Sequence, residues 1–211
     1  MADARAAILD RIRSAVGTQA DPVADYAAIP RTYIRKGALD AAGKLRLFEE
    51  RLKDYDAQVV ETDADSLPRT IASILRGHDQ KKVIAADGLP AEILPADFTF
   101  IAERGVNLED LNSCDGMVTL CTVAIAFTGS IVLTHGPGEG ARRLTLVPDR
   151  HLCIVRAQQI VETVPEAIDR LIPFATHPLT FISGPSATAD IEMTRIRGVH
   201  GPRFLDVVMV R

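Results

Sequence analysis

Apolar positions recur with helical spacing over the first 55 residues. Ile8, Leu9, Ile12 and Val16 share one face of a helix spanning 4–16, with Arg5, Arg11 and Arg13 off it. Residues 17–30 are rich in Pro, Asp and Ala, show no period and read as a surface linker. A second helix is expected over 39–55, where Leu45, Phe48, Leu52 and Tyr55 fall at i, i+3, i+7 and i+10. Residues 1–55 therefore read as a helical arm, and 56–211 as the main domain of what is one structural domain overall.

Beyond residue 56 the period changes. Short apolar runs at 57–61, 82–86 and 98–102 predict strands. Between the first two, Ser66 can cap a helix that turns Leu67, Ile71, Ile74 and Leu75 inward and stops at Gly77. The middle is strand-dense, with runs at 117–120, 123–127, 130–134, 144–147 and 152–155. Intervals this short leave no room for crossover helices, so some pairs must be antiparallel. Thr163-Val164-Pro165-Glu166 has capping-box spacing and opens a helix with Val164, Ile168, Leu171 and Ile172 inward. Strands at 179–183 and 204–210 close the chain. Strand–helix alternation of this kind predicts an α/β layered fold with a mixed, mostly parallel sheet.

Composition narrows the function classes. Charged residues are 25% and hydrophobic ones 47% of the 211, so the chain is neither disordered nor fibrous. The net charge of −4 and the absence of Trp argue against a nucleic-acid partner. No apolar run reaches the roughly 18 residues of a membrane span. The start, Met1-Ala2-Asp3-Ala4-Arg5, lacks the plan of a secretory leader, so a cytoplasmic location is expected. Cys114, Cys121 and Cys153 are odd in number and widely spaced, which fits free thiols and neither a disulfide framework nor a metal or iron–sulfur site. No histidine pair has metal-ligand spacing, so His151 and His200 read as hydrogen-bonded structural residues. No Rossmann fingerprint or P-loop occurs, and the chain is expected to carry no redox cofactor of its own.

Three stretches could carry chemistry. In the first, Thr128, Gly129 and Ser130 join two apolar runs in a tight turn. Its hydroxyls and amides could hold an anion or carbonyl, and its residues are equally ordinary turn formers. In the second, Gly136, Gly138 and Gly140 precede Arg142 and Arg143. This is a flexible loop followed by two bidentate donors for carboxylate or phosphate, or simply an exposed loop with solvated arginines. In the third, a buried strand ends at Ser183, Gly184 and Pro185, then Ser186 and Asp190. Loops beyond strand ends are where open α/β sheets bind ligands, although Asp190 would compete with an anion. The spacing lacks the second glycine of a nucleophile elbow, so a serine hydrolase is not indicated. The three segments are expected to converge on one cleft, with Arg142 or Arg143, Ser186 and backbone amides holding a small anionic ligand.

Two blocks resemble the LUD-domain family, in its lactate-utilisation protein C branch. One is 121–168, with CTVAIAFTGSIVLTHGPGEGARR; the other is 181–210, with FISGPSATADIEM and GVHGP. The resemblance implies a fold like the NagB/RpiA/CoA-transferase group, with helices on both faces of the sheet. It implies an accessory subunit in cytoplasmic oxidation of L-lactate to pyruvate, beside iron–sulfur oxidoreductase subunits. One departure stands out: the family's usual run is Ala-Ile-Ala-Glu-Thr-Gly, and Phe127 occupies the acidic position. Phenylalanine can act neither as nucleophile nor as acid or base. A stand-alone enzyme or sensor for a phosphosugar-, folate- or CoA-type ligand is the alternative reading, resting on the glycine-rich loop, its two arginines and fold analogy.

Overall fold

The computed structural model describes residues 4–17, 21–188, 196–198 and 200–211. The chain divides into two compact units, Met1–Tyr33 and Ile34–Arg211.

The first unit holds α1 (Ala4–Val16) and α2 (Pro22–Ala28). The apolar face foreseen for α1 is present but not covered, and no residue of that helix is buried. The second helix falls where the composition suggested a linker. Its cause is local: Asp21 Oδ1 accepts from Val23 N at 3.0 Å and Ala24 N at 3.2 Å, and Pro22 opens the first turn.

The second unit begins with α3 (Ala41–Asp54), β1 (Gln58–Thr62), α4 (Leu67–Gly77), β2 (Val83–Ala85), β3 (Phe100–Ala102) and α5 (Leu108–Asn112). It continues through β4 (Gly116–Thr119), β5 (Val123–Ile125), β6 (Ser130–Leu133), β7 (Arg150–Arg156), β8 (Ile160–Val161) and α6 (Val164–Leu171). Then come β9 (Thr180–Ile182), β10 (Ala187–Thr188), β11 (Ile196–Arg197) and β12 (Phe204–Val210). Six strands form a wholly parallel sheet in the order β1-β12-β7-β4-β2-β3. A second, mixed sheet runs β8-β5-β6-β9, and β10 pairs with β11. The fold is thus α/β with a mostly parallel arrangement, as the strand–helix alternation indicated.

Side-chain alternation along the central strands sets the layers. Leu152, Ile154 and Val208 point to one face of the parallel sheet and pack on Leu67, Ile71 and Leu75 of α4. Cys153, Val155, Val207 and Met209 point to the other face. There they meet Ala124, Ile131 and Leu133 of the second sheet, with Phe48 and Leu52 of α3. The second sheet's far side, Val123, Ile125, Val132 and Val161, is closed by Ala167 and Leu171 of α6. Helices α4 and α6 therefore cover the outer faces of the two sheets, while α3 adds to the core between them.

Other local expectations change: at α6, Val164, Ile168 and Ile172, expected inward, are exposed, and Ala167 and Leu171 face the core. Leu144–Val147 is not a strand. Leu144 N bonds Ala141 O, Val147 N bonds Arg143 O, and Thr145 Oγ1 donates to Arg142 O at 3.0 Å, which together wind the segment into turns. At α4, Ser66 occupies the capping position, but its side chain caps no backbone N–H of the helix. Asp63 takes Ser66 N at 2.7 Å and Ser66 Oγ at 3.1 Å instead.

Candidate functional site

A cleft of about 230 Å³ opens where the second sheet meets the amino ends of β7 and β12. Strand β9 and the turn after it form one wall. Register places Thr180 and Ile182 opposite Leu133 and Ile131, on the side of the second sheet that faces the parallel sheet. The other wall is His151 on β7, Leu205 on β12 and the His200-Gly201-Pro202 turn. Arg142 and Thr145 close one side, and Arg142 Nη1 donates to Thr145 Oγ1 at 3.1 Å.

Among the described wall residues charge has one sign. Arg142 brings a permanent cation and the histidines can only add to it. Among the described wall residues there is no Asp or Glu. A described wall that offers donors and a cation suits an anion.

Polar groups in the walls are oriented by partners behind them. Ser186 Oγ accepts from His200 N at 3.0 Å, and Ser186 N donates to Pro202 O, so two separate turns are held as one surface. With its oxygen engaged, the Ser186 hydroxyl retains a proton to give. Thr180 Oγ1 lies 2.7 Å from His135 Nε2, while His135 Nδ1 lies 2.8 Å from Gly140 O. His135 holds a left-handed backbone, φ 58°, an unusual state for a residue with a β-carbon, and these two contacts fix its ring. His151 is 1% exposed and its Nε2 sits 2.7 Å from Thr119 Oγ1.

Of the residues singled out in the sequence, Arg142, Ser183, Gly184 and Ser186 line the cleft. Thr128 and Ser130 stand behind it. Their hydroxyls run in a chain, Thr128 Oγ1 to Ser130 Oγ at 2.8 Å and Ser130 Oγ to Ser183 Oγ at 2.6 Å. Gly129 turns at φ 60° against α3, where a β-carbon would come within 2.8 Å of Arg51 Cβ. Gly138 and Gly140 are outside the walls. They pack against Leu120 and Leu144, near the carboxyl ends of β4 and β2.

The glycine-rich loop spends its amides internally. Glu103 accepts from Ala141 N at 2.7 Å and Asp87 N at 3.0 Å. Glu139 accepts from Thr134 N at 2.6 Å and Thr122 Oγ1 at 2.5 Å. Both carboxylates are more than nine-tenths buried, so the loop is built around the chain's own anions. Arg143 is exposed and not in the wall, and Asp190 lies outside the described residues. Phe127 is 60% exposed and also off the cleft, so an acid at that position would not line it.

Sequence reasoning passed over Thr145, Thr180 and Leu205 and took His151 and His200 as structural. Of these, only His200, beside Gly201 and Pro202, carried a local signal. Thr180 pairs with a residue 45 positions away, which no local pattern announces.

Next to the cleft, Cys121 and Cys153 are buried free thiols. Contact with the Cys153 sulfur, and then burial, push Cys121 up. Among the described residues no three His, Cys, Asp or Glu side chains group as a metal ion would need, and no helix is long and apolar enough to cross a membrane.

Comparison with known proteins places this geometry in a family. The LUD domain model matches residues 3–210. Lactate utilization protein C of Deinococcus radiodurans is 41% identical over 175 residues, covering 82% of each chain. The protein of the same name from an Exiguobacterium species is 25% identical over 217 residues, covering 96% of this chain and 94% of its own. A crystal structure of a DUF162 family protein from Deinococcus radiodurans superposes with a TM-score of 0.72 at 34% identity, over 82% of this chain and all of that one. The match across nearly the whole sequence and the shared architecture make this chain a member of the LUD-domain family.

Proposed function

We propose that this protein serves lactate utilisation as an accessory, cytoplasmic component beside iron–sulfur oxidoreductase subunits, and that its cleft holds a small carboxylate anion. The observation that carries the role is the 41% identity, over most of both chains, to a protein named Lactate utilization protein C. The cleft supports the ligand class: Arg142 supplies the cation, Ser186 a hydroxyl, and no described wall residue opposes an anion. Three free thiols, all buried, suit a reducing compartment. In this reading Arg142 anchors the carboxylate, while oxidation itself belongs to the partner subunits.

The test is genetic and biochemical. Disrupting the gene in its host should abolish or slow growth on L-lactate as sole carbon source, with growth on glucose unchanged. Wild-type protein should restore it, and Arg142→Ala should restore it poorly. In calorimetry, loss of a charge-assisted bond worth about 1.5–3 kcal/mol weakens carboxylate binding by about tenfold or more. Unimpaired growth of the disruptant on lactate would overturn the role. Equal carboxylate affinity in wild type and Arg142→Ala would overturn the site.

A further inference from the structure

We infer that Thr180 makes the cleft selective for a small carboxylate bearing a hydroxyl, against its keto counterpart. This rests on the carboxylate reading of the cleft and deepens it. The argument is a chain of donors and acceptors. Gly140 O is a carbonyl and can only accept, so His135 Nδ1, 2.8 Å away, carries a proton. In the neutral ring the other nitrogen, Nε2, is then an acceptor. Thr180 Oγ1, 2.7 Å from it, must donate its single proton there. That leaves Thr180, in the cleft wall, with lone pairs and no proton to offer.

The neighbouring groups differ. Arg142 donates only, Ser186, whose oxygen already takes His200 N, keeps its proton to give, and Thr145 Oγ1 is engaged with Arg142 on both counts, giving its proton to Arg142 O and taking one from Arg142 Nη1. Ser183 is turned to Ser130 at 2.6 Å. His151 is nearly inaccessible and engaged with Thr119. The cleft therefore pairs donors for a carboxylate with an acceptor fixed from behind by His135. A ligand hydroxyl can give its proton to that acceptor. A keto oxygen would set lone pair against lone pair, which leaves a buried polar group unpaired.

The residues are held for this role. His135 stays in a left-handed conformation to make both contacts, and Thr180 is 8% exposed on the side of β9 that faces the parallel sheet. The device is long-range in sequence: residues 135, 140 and 180 come from the end of β6, the glycine-rich loop and the start of β9.

Isothermal calorimetry on the full-length protein at pH 8 tests the inference with L-lactate, pyruvate and propionate. Lactate should bind about tenfold or more tighter than pyruvate, with propionate also weaker than lactate. Thr180→Val should weaken lactate by about tenfold and erase the preference while leaving pyruvate binding in place, and Thr180→Ser should restore it. Pyruvate binding by Thr180→Val also reports that the variant is folded. Equal binding of lactate and pyruvate by wild type, or an unchanged preference in Thr180→Val, overturns the selectivity while the carboxylate site stands. Binding of none of the three overturns both.

Discussion

Single residues in this protein do their work through partners that lie far away in sequence. The Cys121–Cys153 pair shows how environment overrides intrinsic chemistry. Cys121 is 3% and Cys153 0% exposed, and Cys114 is buried as well. Contact with the Cys121 thiol, then His151, draws Cys153 down while burial opposes it. A lowered thiol is ordinarily a reactive one, but reactivity also needs access. Access decides here. Ellman's reagent should label the native protein slowly, if at all, and all three thiols at once in guanidinium. Fast labelling of one thiol under native conditions would mean that the core beneath the cleft opens readily.

At the scale of elements, α6 shows a junction that local spacing announced and tertiary contacts completed. Thr163 and Glu166 form the capping box expected from their spacing: Glu166 Oε2 accepts from Thr163 N at 2.8 Å. The same carboxylate reaches across the fold, taking Gly37 N at 3.3 Å, and neighbouring Glu162 takes Leu39 N at 2.6 Å. One helix start thus anchors the segment before α3. Burial raises the Glu166 pKa, but hydrogen bonds from Thr163, Gly37 and Glu162 outweigh it, and the net direction is down. A carboxylate lowered in the folded state stabilises it above the unfolded value and loses that contribution as pH falls through the folded one. Glu166→Gln should therefore cost about 1 kcal/mol in urea unfolding at pH 7. The gap to wild type should close as pH falls below the ordinary glutamate range and through the lowered folded value. A gap that persists at low pH would assign the effect to packing rather than charge.

The same contrast explains which elements could be read from the sequence. Strand β12 and helix α4 follow from their own apolar periods, because burial selects those positions regardless of what covers them. Leu144–Val147 has strand-like composition, yet main-chain bonds to residues 141 and 143 turn it back on itself. Helix α2 came from a cap, Asp21, and not from a period. In the candidate site, Arg142 and Ser186 were readable as residue types suited to an anion. The glycines beside Arg142 were read in the same way, but their loop is tied inward by its own Glu139, which takes Thr134 N, and by Glu103, on a segment whose approach no pattern encodes.

At the scale of the whole molecule, stability resides in the second unit. Among the described residues every buried hydrophobic one lies between Phe48 and Val210, and the large clusters join both sheets to α3, α4 and α6. The first unit, Met1–Tyr33, contributes helices without a buried side chain among its described residues. Its α1 keeps Ile8, Ile12 and Val16 more than half exposed, so little apolar area there drives folding. The core strands β7 and β12 pair over seven residues, and their register depends on nothing before Ile34. A chain beginning at Ile34 should therefore unfold in a single transition within about 2–4 °C of the full-length protein, the shift that about 1 kcal/mol produces in a domain of this size. Its affinity for L-lactate should be unchanged, because Arg142, Thr180 and Ser186 all belong to the second unit. Differential scanning calorimetry of both chains checks the first point and titration the second. A fall in melting temperature of 10 °C or more, of the order that several kcal/mol would cause, would show that the helices of the first unit are part of the cooperative core.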